Sequence, residues 1–299
     1  MRQSSRQKLV RAVGAVLMVA ALWFLYQATY RHWTSLGNWR PTSEIWLGLA
    51  VLALLYGASQ YLLAESWHRV AALYGTEPRR RTYPSLTSMQ FARYLPGNVA
   101  HLLGRAAWLH GGSLSNVALM RATFIEICVT PTGALLALLL LLPVLVVSAP
   151  ANIAYTSIVA PLVIGAICLT IELLKPEGVG CISWVGRLKF SLILSTLFML
   201  IFGSIFAIIG QMLGLAGIEQ LVAVAVMGWI VGYLVPGAPG GIGVREAVMV
   251  ALLSGSEAAD TVLLASALLR LVTMLGEAAC FVSGFVFVRL MGSIQVRGR

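Results

Sequence analysis

Apolar runs about as long as a bilayer is thick recur along this chain, separated by short polar connections. They fall at 12–30, 45–72, 114–147, 152–174, 190–215 and 261–290. Each approaches or exceeds the ~20 residues a helix needs to cross the hydrocarbon core. Two further apolar stretches, 82–109 and 219–253, are interrupted by proline and glycine. The pattern predicts an all-α, polytopic transmembrane helical bundle of about six full spans plus two Pro/Gly-broken re-entrant hairpins. No stretch of ~50 residues lacks an apolar run, so residues 1–299 read as a single integral membrane domain without a soluble one.

Composition agrees with the pattern. Apolar residues make up 59% of the chain and charged residues 11%, against ~25% charged in soluble domains; mean hydropathy is +0.87. A net charge of +10 suits nucleic acid in principle, but the basic residues gather at the ends of apolar runs, which speaks against a nucleic-acid partner. Cys128, Cys168, Cys181 and Cys280 are scattered without a CxxC pair, and read as small buried hydrophobes, not as a disulfide or metal framework. Arg2, Arg6, Lys8 and Arg11 precede a long apolar run with no small-residue cleavage site, the pattern of a retained signal anchor.

Basic residues also orient the spans. The four at the N-terminus place it in the cytoplasm, and the loop 31–44, with Arg31 and Arg40, falls outside. Arg79-Arg80-Arg81 falls inside, the uncharged 148–151 outside, and 175–189, with Lys175, Arg187 and Lys189, inside. Residues 254–260 carry Glu257 and Asp260 and fall outside; Arg289, Arg297 and Arg299 return the tail to the cytoplasm. This alternation holds only if each interrupted stretch enters and leaves on one side. Arg79–Arg81 then serve as a topology determinant, with anionic lipid head groups as a secondary contact.

The interrupted stretches resemble each other. The first contains Arg93-Tyr94-Leu95-Pro96-Gly97 and then Gly104-Arg105; the second runs from Tyr233 through Pro236-Gly237-Ala238-Pro239-Gly240-Gly241-Ile242-Gly243 to Arg245-Glu246. A span with an arginine and a glutamate follows each: Arg121 and Glu126, then Arg270 and Glu277. Broken segments at matching places in two halves, here about 82–147 and 219–290, are the pattern of inverted-repeat transporters. The plainer reading is that Pro-Gly pairs merely punctuate membrane helices.

Irregular backbone at membrane depth persists only inside protein or beside a water-filled cavity. Helices starting near Gly97 and Gly243 would aim their N-termini, with free N–H groups, at the interior, where they favour an anion. A charge at the bilayer centre costs ~2.5–3.5 kcal/mol even on the lenient scale, so ionisable residues there face a cavity or one another. The substrate-binding candidates are Arg105, Arg245, Arg93, His101, Arg121, Arg270, Gly97, Gly240, Gly241 and Gly243. Arg105 and Arg245 lead, placed one turn or less inside the helices that follow the breaks. Glu246, Glu126, Glu277 and Glu65 are the supporting or proton-linked candidates. The competing reading for each is structural: intramembrane Arg–Glu pairs often only tie helices together. Gly203, Gly210 and Gly214 allow close helix packing, within one subunit or in a homo-oligomer.

Asp260 is the lone aspartate, which excludes a D-x-D metal–sugar site. No Walker A loop, H-E-x-x-H, G-x-S-x-G or dinucleotide fingerprint occurs. No cofactor, metal or catalytic nucleophile is therefore expected, and the chain does not read as an enzyme.

On Tyr94-Leu95-Pro96-Gly97, His101-Leu102-Leu103-Gly104-Arg105 and Pro239-Gly240-Gly241-Ile242-Gly243-Val244-Arg245-Glu246, the sequence resembles the lysylphosphatidylglycerol synthase transmembrane-domain family, also called UPF0104. The resemblance covers nearly the whole chain; its second motif is fairly specific and its first looser. In larger relatives this membrane region is joined to a cytosolic aminoacyltransferase domain and moves the aminoacylated lipid across the bilayer. This sequence ends at Arg299, after its last span, so the resemblance implies a stand-alone lipid translocase in the cytoplasmic membrane of a bacterium or archaeon. Its cargo would be an anionic phospholipid or a polyprenyl-phosphate-linked lipid. The alternative is a non-catalytic membrane partner of a glycosyltransferase or another lipid-modifying enzyme.

Overall fold

The computed structural model describes residues 41–90, 100–148, 181–235, 239–241, 243–253 and 259–297. The described residues form eight helices and no strands: α1 Ser43–Ala71, α2 Arg79–Thr87, α3 Ala100–Leu109, α4 Asn116–Ser148, α5 Cys181–Met212, α6 Ile218–Leu234, α7 Val244–Leu253 and α8 Ala259–Arg297. A single 3-10 turn, Pro239–Gly241, lies between α6 and α7. Among the described residues four segments are long and apolar enough to cross a membrane: Ser43–Ala71, Asn116–Leu141, Gly186–Met212 and Ala259–Gly284. They match the spans expected at 45–72, 114–147, 190–215 and 261–290; those expected at 12–30 and 152–174 lie outside the described residues.

The hub of the bundle is α5, which packs against α1, α4, α6 and α8. Phe198, Phe202 and Phe206 recur at helical spacing along it and are almost fully buried, as a helix apolar on every side requires. Small residues set how closely its neighbours approach. A Cβ on Gly57 of α1 would lie 2.7 Å from the carbonyl oxygen of Gly276 on α8, so these two backbones touch. Gly203 and Gly210 of α5 face Val222 and Leu221 of α6. Their role is therefore packing within this chain, while Gly214 has open space around its Cβ position.

The two interrupted stretches resolve into different bodies. In the first, α2 is short and polar and lies against α1. Trp67 Nε1 donates to Ser85 Oγ at 3.0 Å, His68 Nδ1 and Thr82 Oγ1 are 3.0 Å apart, and Gln90 Nε2 donates to Gln60 Oε1 at 2.7 Å. These bonds satisfy polar groups that burial would otherwise leave costly. In the second, α6 has 17 residues, about 25 Å at 1.5 Å each, just short of the ~30 Å hydrocarbon core. The 10 residues of α7 cover roughly half that depth.

Candidate functional site

The second break is built from glycine geometry. Gly240, Gly241 and Gly243 have φ of 58°, 71° and 83°, in the left-handed region that a Cβ disfavours. The turn delivers Gly243 to the start of α7, where its N–H donates to Glu246 Oε2 at 2.7 Å. This is half of a capping box, with the acidic residue of the first turn reaching back to the cap. The other carboxylate oxygen accepts from Arg270 Nε of α8 at 2.6 Å, and Arg270 Nη2 donates to the Gly241 carbonyl at 3.3 Å. One carboxylate thus joins the turn, α7 and α8.

The first half contains the corresponding tie between α3 and α4. Arg105 Nη1 donates to Glu126 Oε1, and their side chains are only 3% and 10% exposed. Two opposite charges this deeply buried must pair, because either one alone would be strongly unfavourable.

Between these ties lies a cavity of about 40 Å³, lined among others by His101, Arg105, Glu126, Trp229, Tyr233 and Arg245. A second, of about 20 Å³, is bordered by Arg245, Glu246 and Arg270. Arg245 borders both. Its side chain runs through a slot between two glycines: a Cβ on Gly232 would lie 2.6 Å from Arg245 Cγ, and one on Gly241 would lie 2.7 Å from Nε. The guanidinium carbon sits 5.8 Å from the centroid of the Trp229 ring, within cation–π range. Trp229 stacks on Tyr233, with centroids 4.9 Å apart and planes at 13°.

The position of Tyr233 has a local cause. Pro131 lies within α4 and has no N–H to give to the carbonyl of Ile127, four residues back. The Tyr233 hydroxyl donates to that carbonyl at 3.3 Å, supplying from α6 what the proline withholds.

The structure brings together His101, Arg105, Glu126, Gly240 and Arg245 around the first cavity, and Arg270 and Glu246 around the second. Gly241 and Gly243 shape the turn. Other candidates lie apart from these two cavities. Arg121 is exposed at its place on α4 and lines neither cavity. Glu65 is on the outer side of α1, bonded to Arg69 at 2.8 Å, Arg79 at 2.9 Å and the Tyr83 hydroxyl at 2.6 Å. The bond to Glu65 raises the Arg79 guanidinium further above its ordinary value, and Tyr83 is raised by burial first and then by donating to Glu65. Glu277 is buried against α1, with the Tyr56 hydroxyl donating to it at 3.4 Å, so it does not share the Arg270 site. Arg105 occupies the second turn of α3, not the first. At α7 the N–H of Gly243, expected to face a bound anion, is occupied by the helix's own Glu246. Arg93 and Gly97 lie outside the described residues.

Gly232, Trp229, Tyr233 and Pro131 were not among the candidates. Pro131 carried a signal, as a proline inside an apolar run frees a carbonyl that something must satisfy. Glu77 was also missed. Buried at the start of α2, it accepts from Arg81 at 3.1 Å and from the Ser113 N–H at 2.6 Å, pinning α2 to the α3–α4 loop.

Chemically, the arrangement is a buried array of arginines and glutamates held by α3, α4, α7 and α8, with Arg245 bordering both cavities. Among the described residues no group of histidine, cysteine or acidic side chains could hold a metal. No protein-family model matches this sequence, and no curated protein matches it.

Proposed function

We propose that this protein is a membrane translocase for a lipid with an anionic, phosphate-bearing head group. The observation that carries the reading is a cluster of arginines brought together deep among apolar helices. The described residues around the two cavities include Arg105, Arg245 and Arg270, with Glu126 and Glu246 beside them. Arg245, which borders both cavities, sits on a helix that follows a broken backbone, the arrangement expected where a polar head group crosses. The head group would lie between α3 and α7 with its phosphate toward Arg245 and Arg105, and its chains in the bilayer. A cavity of about 40 Å³ is far below the ~300 Å³ at which ligand pockets begin. Translocation therefore demands that α3 and α7 separate.

The resemblance to the lysylphosphatidylglycerol synthase transmembrane-domain family supports this reading, with an anionic phospholipid or a polyprenyl-phosphate-linked lipid as cargo. In this proposal six spans and two re-entrant hairpins form an inverted repeat in a cytoplasmic membrane, both termini face the cytoplasm, and alternating access follows from the two halves.

One feature favours the second reading, a non-catalytic partner of a glycosyltransferase: both ion pairs are made within the chain and the cavity is small. Reconstitution separates the two. Purified protein in liposomes containing trace labelled anionic phospholipid or short-chain polyprenyl phosphate should bring label to the opposite leaflet. Arg245→Ala should be folded and slower by ~10–100-fold, the loss of one charge-assisted contact. A fully active Arg245→Ala protein would remove Arg245 from the site. No movement of any lipid by folded wild-type protein, with a proton gradient also tested, would favour the partner reading.

A further inference from the structure

A separate recess, an apolar groove of about 510 Å³, runs between α3 and α4. Its walls include Leu103 and Ala107 of α3 and Met120 and Phe124 of α4. At one end are Leu102 and Ile127, which also line the cavity of Arg105 and Glu126. At the other, where the two helices meet through their short loop, the side chains of His110 and Asn116 are 3.0 Å apart.

We propose that this groove is a lipid site that holds one acyl chain of a membrane phospholipid, with the head group at the His110–Asn116 end and the chain terminus at Leu102–Ile127. Length is the first argument. Leu102 and His110 are eight positions apart and Asn116 and Ile127 eleven, or ~12–17 Å of helix at 1.5 Å per residue. That is the depth of one leaflet, half of a ~30 Å hydrocarbon core. Polarity is the second. Apart from Thr123, whose hydroxyl donates to the Leu119 carbonyl of its own helix at 2.8 Å, the wall residues between the two ends are apolar, and the polar pair stands at the loop end, next to Arg81, which donates to the Leu109 carbonyl at 3.4 Å. This is the order of a lipid, polar at the interface and apolar toward the midplane. The third argument is room. The volume falls in the ~300–1,000 Å³ range of ligand sites, and Leu103 of the short α3 and Met120 of the span-length α4 are each 67% exposed. The wall shared with the charged cavity puts a lipid held here beside Arg105, with only Leu102 and Ile127 between them.

The site stands apart from the proposed transport, because binding does not require movement. The test uses the full chain in nanodiscs of dioleoyl phosphatidylcholine, with phosphatidylglycerol carrying a diazirine in one acyl chain. After irradiation, labelled residues are identified by peptide mass spectrometry. Labelling at Met120 and Leu103 should saturate with probe and be competed away by unlabelled phosphatidylglycerol. Leu54 of α1, 65% exposed, should be labelled without saturation, as bulk bilayer contact. A diazirine near the head group should label close to Leu119, and one at the chain terminus close to Ile127. Ala107→Trp, at an exposed position that tolerates bulk, should fill the groove and lower Met120 labelling at least about tenfold, as expected when a few methylenes lose their contacts. Thr123→Trp fills it from the opposite wall and should do the same. Labelling of Met120 that rises without saturation, like that of Leu54, would overturn the site, as would indifference to both tryptophans. So would Met120 left unlabelled while Leu54 is labelled, which would mean that protein covers the groove. A reversed labelling order along the groove would overturn the orientation. Saturable labelling by a protein that moves no lipid would sink the transport reading and leave the groove standing.

Discussion

In the first half of the molecule a ten-residue helix, α3, directs Arg105 at Glu126 on the long helix α4; in the second a ten-residue helix, α7, directs Glu246 at Arg270 on α8. The parts match but the signs are exchanged. Glu126 lies ten residues into α4, and Arg270 lies within the apolar segment Ala259–Gly284 of α8. Each long helix then carries a tight glycine about two turns on: Gly133 against Ser195 of α5, and Gly276 against Ala53 of α1. What the two halves share is an opposite-charge pair between a short helix and a long one, whichever supplies the cation. They differ beside the pair: α7 adds Arg245, which borders both cavities, and α3 adds His101, which lines the first. Arg245 is the asymmetric element that the proposed function uses.

The largest expected effect comes from breaking one pair. Glu126→Ala leaves Arg105 buried without its carboxylate and should cost ~3–5 kcal/mol, read as a lowered unfolding midpoint of the purified protein in detergent. Exchanging the pair, Arg105→Glu with Glu126→Arg, gives the first half the sign pattern of the second and should recover most of that loss. An exchange as damaging as the single change would show that sign matters and that the halves are not equivalent.

The glycines come next. Gly133→Ala would place a Cβ 2.6 Å from Ser195 Cβ, and Gly276→Ala would place one 2.5 Å from the Ala53 carbonyl. Overpacking of this kind typically costs ~1–3 kcal/mol, and comparable losses in thermal unfolding are expected in both halves. A loss in only one would limit the likeness to the ion pairs.

Gly232→Ala tests the asymmetric part. Its Cβ would enter the slot occupied by Arg245 Cγ, so the arginine must leave Trp229. Lipid movement in liposomes should fall by about tenfold, in the range set by one weakened charge contact, with a smaller change in unfolding midpoint than for the glycines between helices. Unchanged transport would dissociate function from the position of Arg245. The smallest effect belongs to Arg121→Ala. The side chain is exposed, and surface changes usually stay within ~0.5 kcal/mol. A large loss of stability or transport would reinstate it beside Arg270.

Arg121 also shows where sequence reading reached its limit. Matching the order arginine-then-glutamate in the two long spans paired Arg121 with Arg270 and Glu126 with Glu277. In the structure it is Arg270 that meets the short helix of its half, as Glu126 does in the first, and Glu277 turns to Tyr56 on α1. Letter order along a helix does not report depth or face until the helix start is known. Glu246 was legible as a supporting residue, but not as the group occupying the cap of its own helix. That role follows from the backbone path at Gly240–Gly243. Tyr233 was quoted only as part of a motif; its bond to Ile127 depends on Pro131, more than a hundred residues earlier.

The sequence by itself determined the solvent and the class of fold. Runs of ~20 apolar residues bury their backbone polar groups only as helices in hydrocarbon, and prolines and glycines mark where those helices break whatever surrounds them. Which guanidinium meets which carboxylate was decided by tertiary structure alone. Arg105 and Glu126 are 21 residues apart and Glu246 and Arg270 are 24 apart, so each pair forms only after two helices have folded back on one another. The slot that carries Arg245 past Gly232 and Gly241 likewise exists only where α6 and the turn converge, because a contact between backbones has no signature in either segment alone.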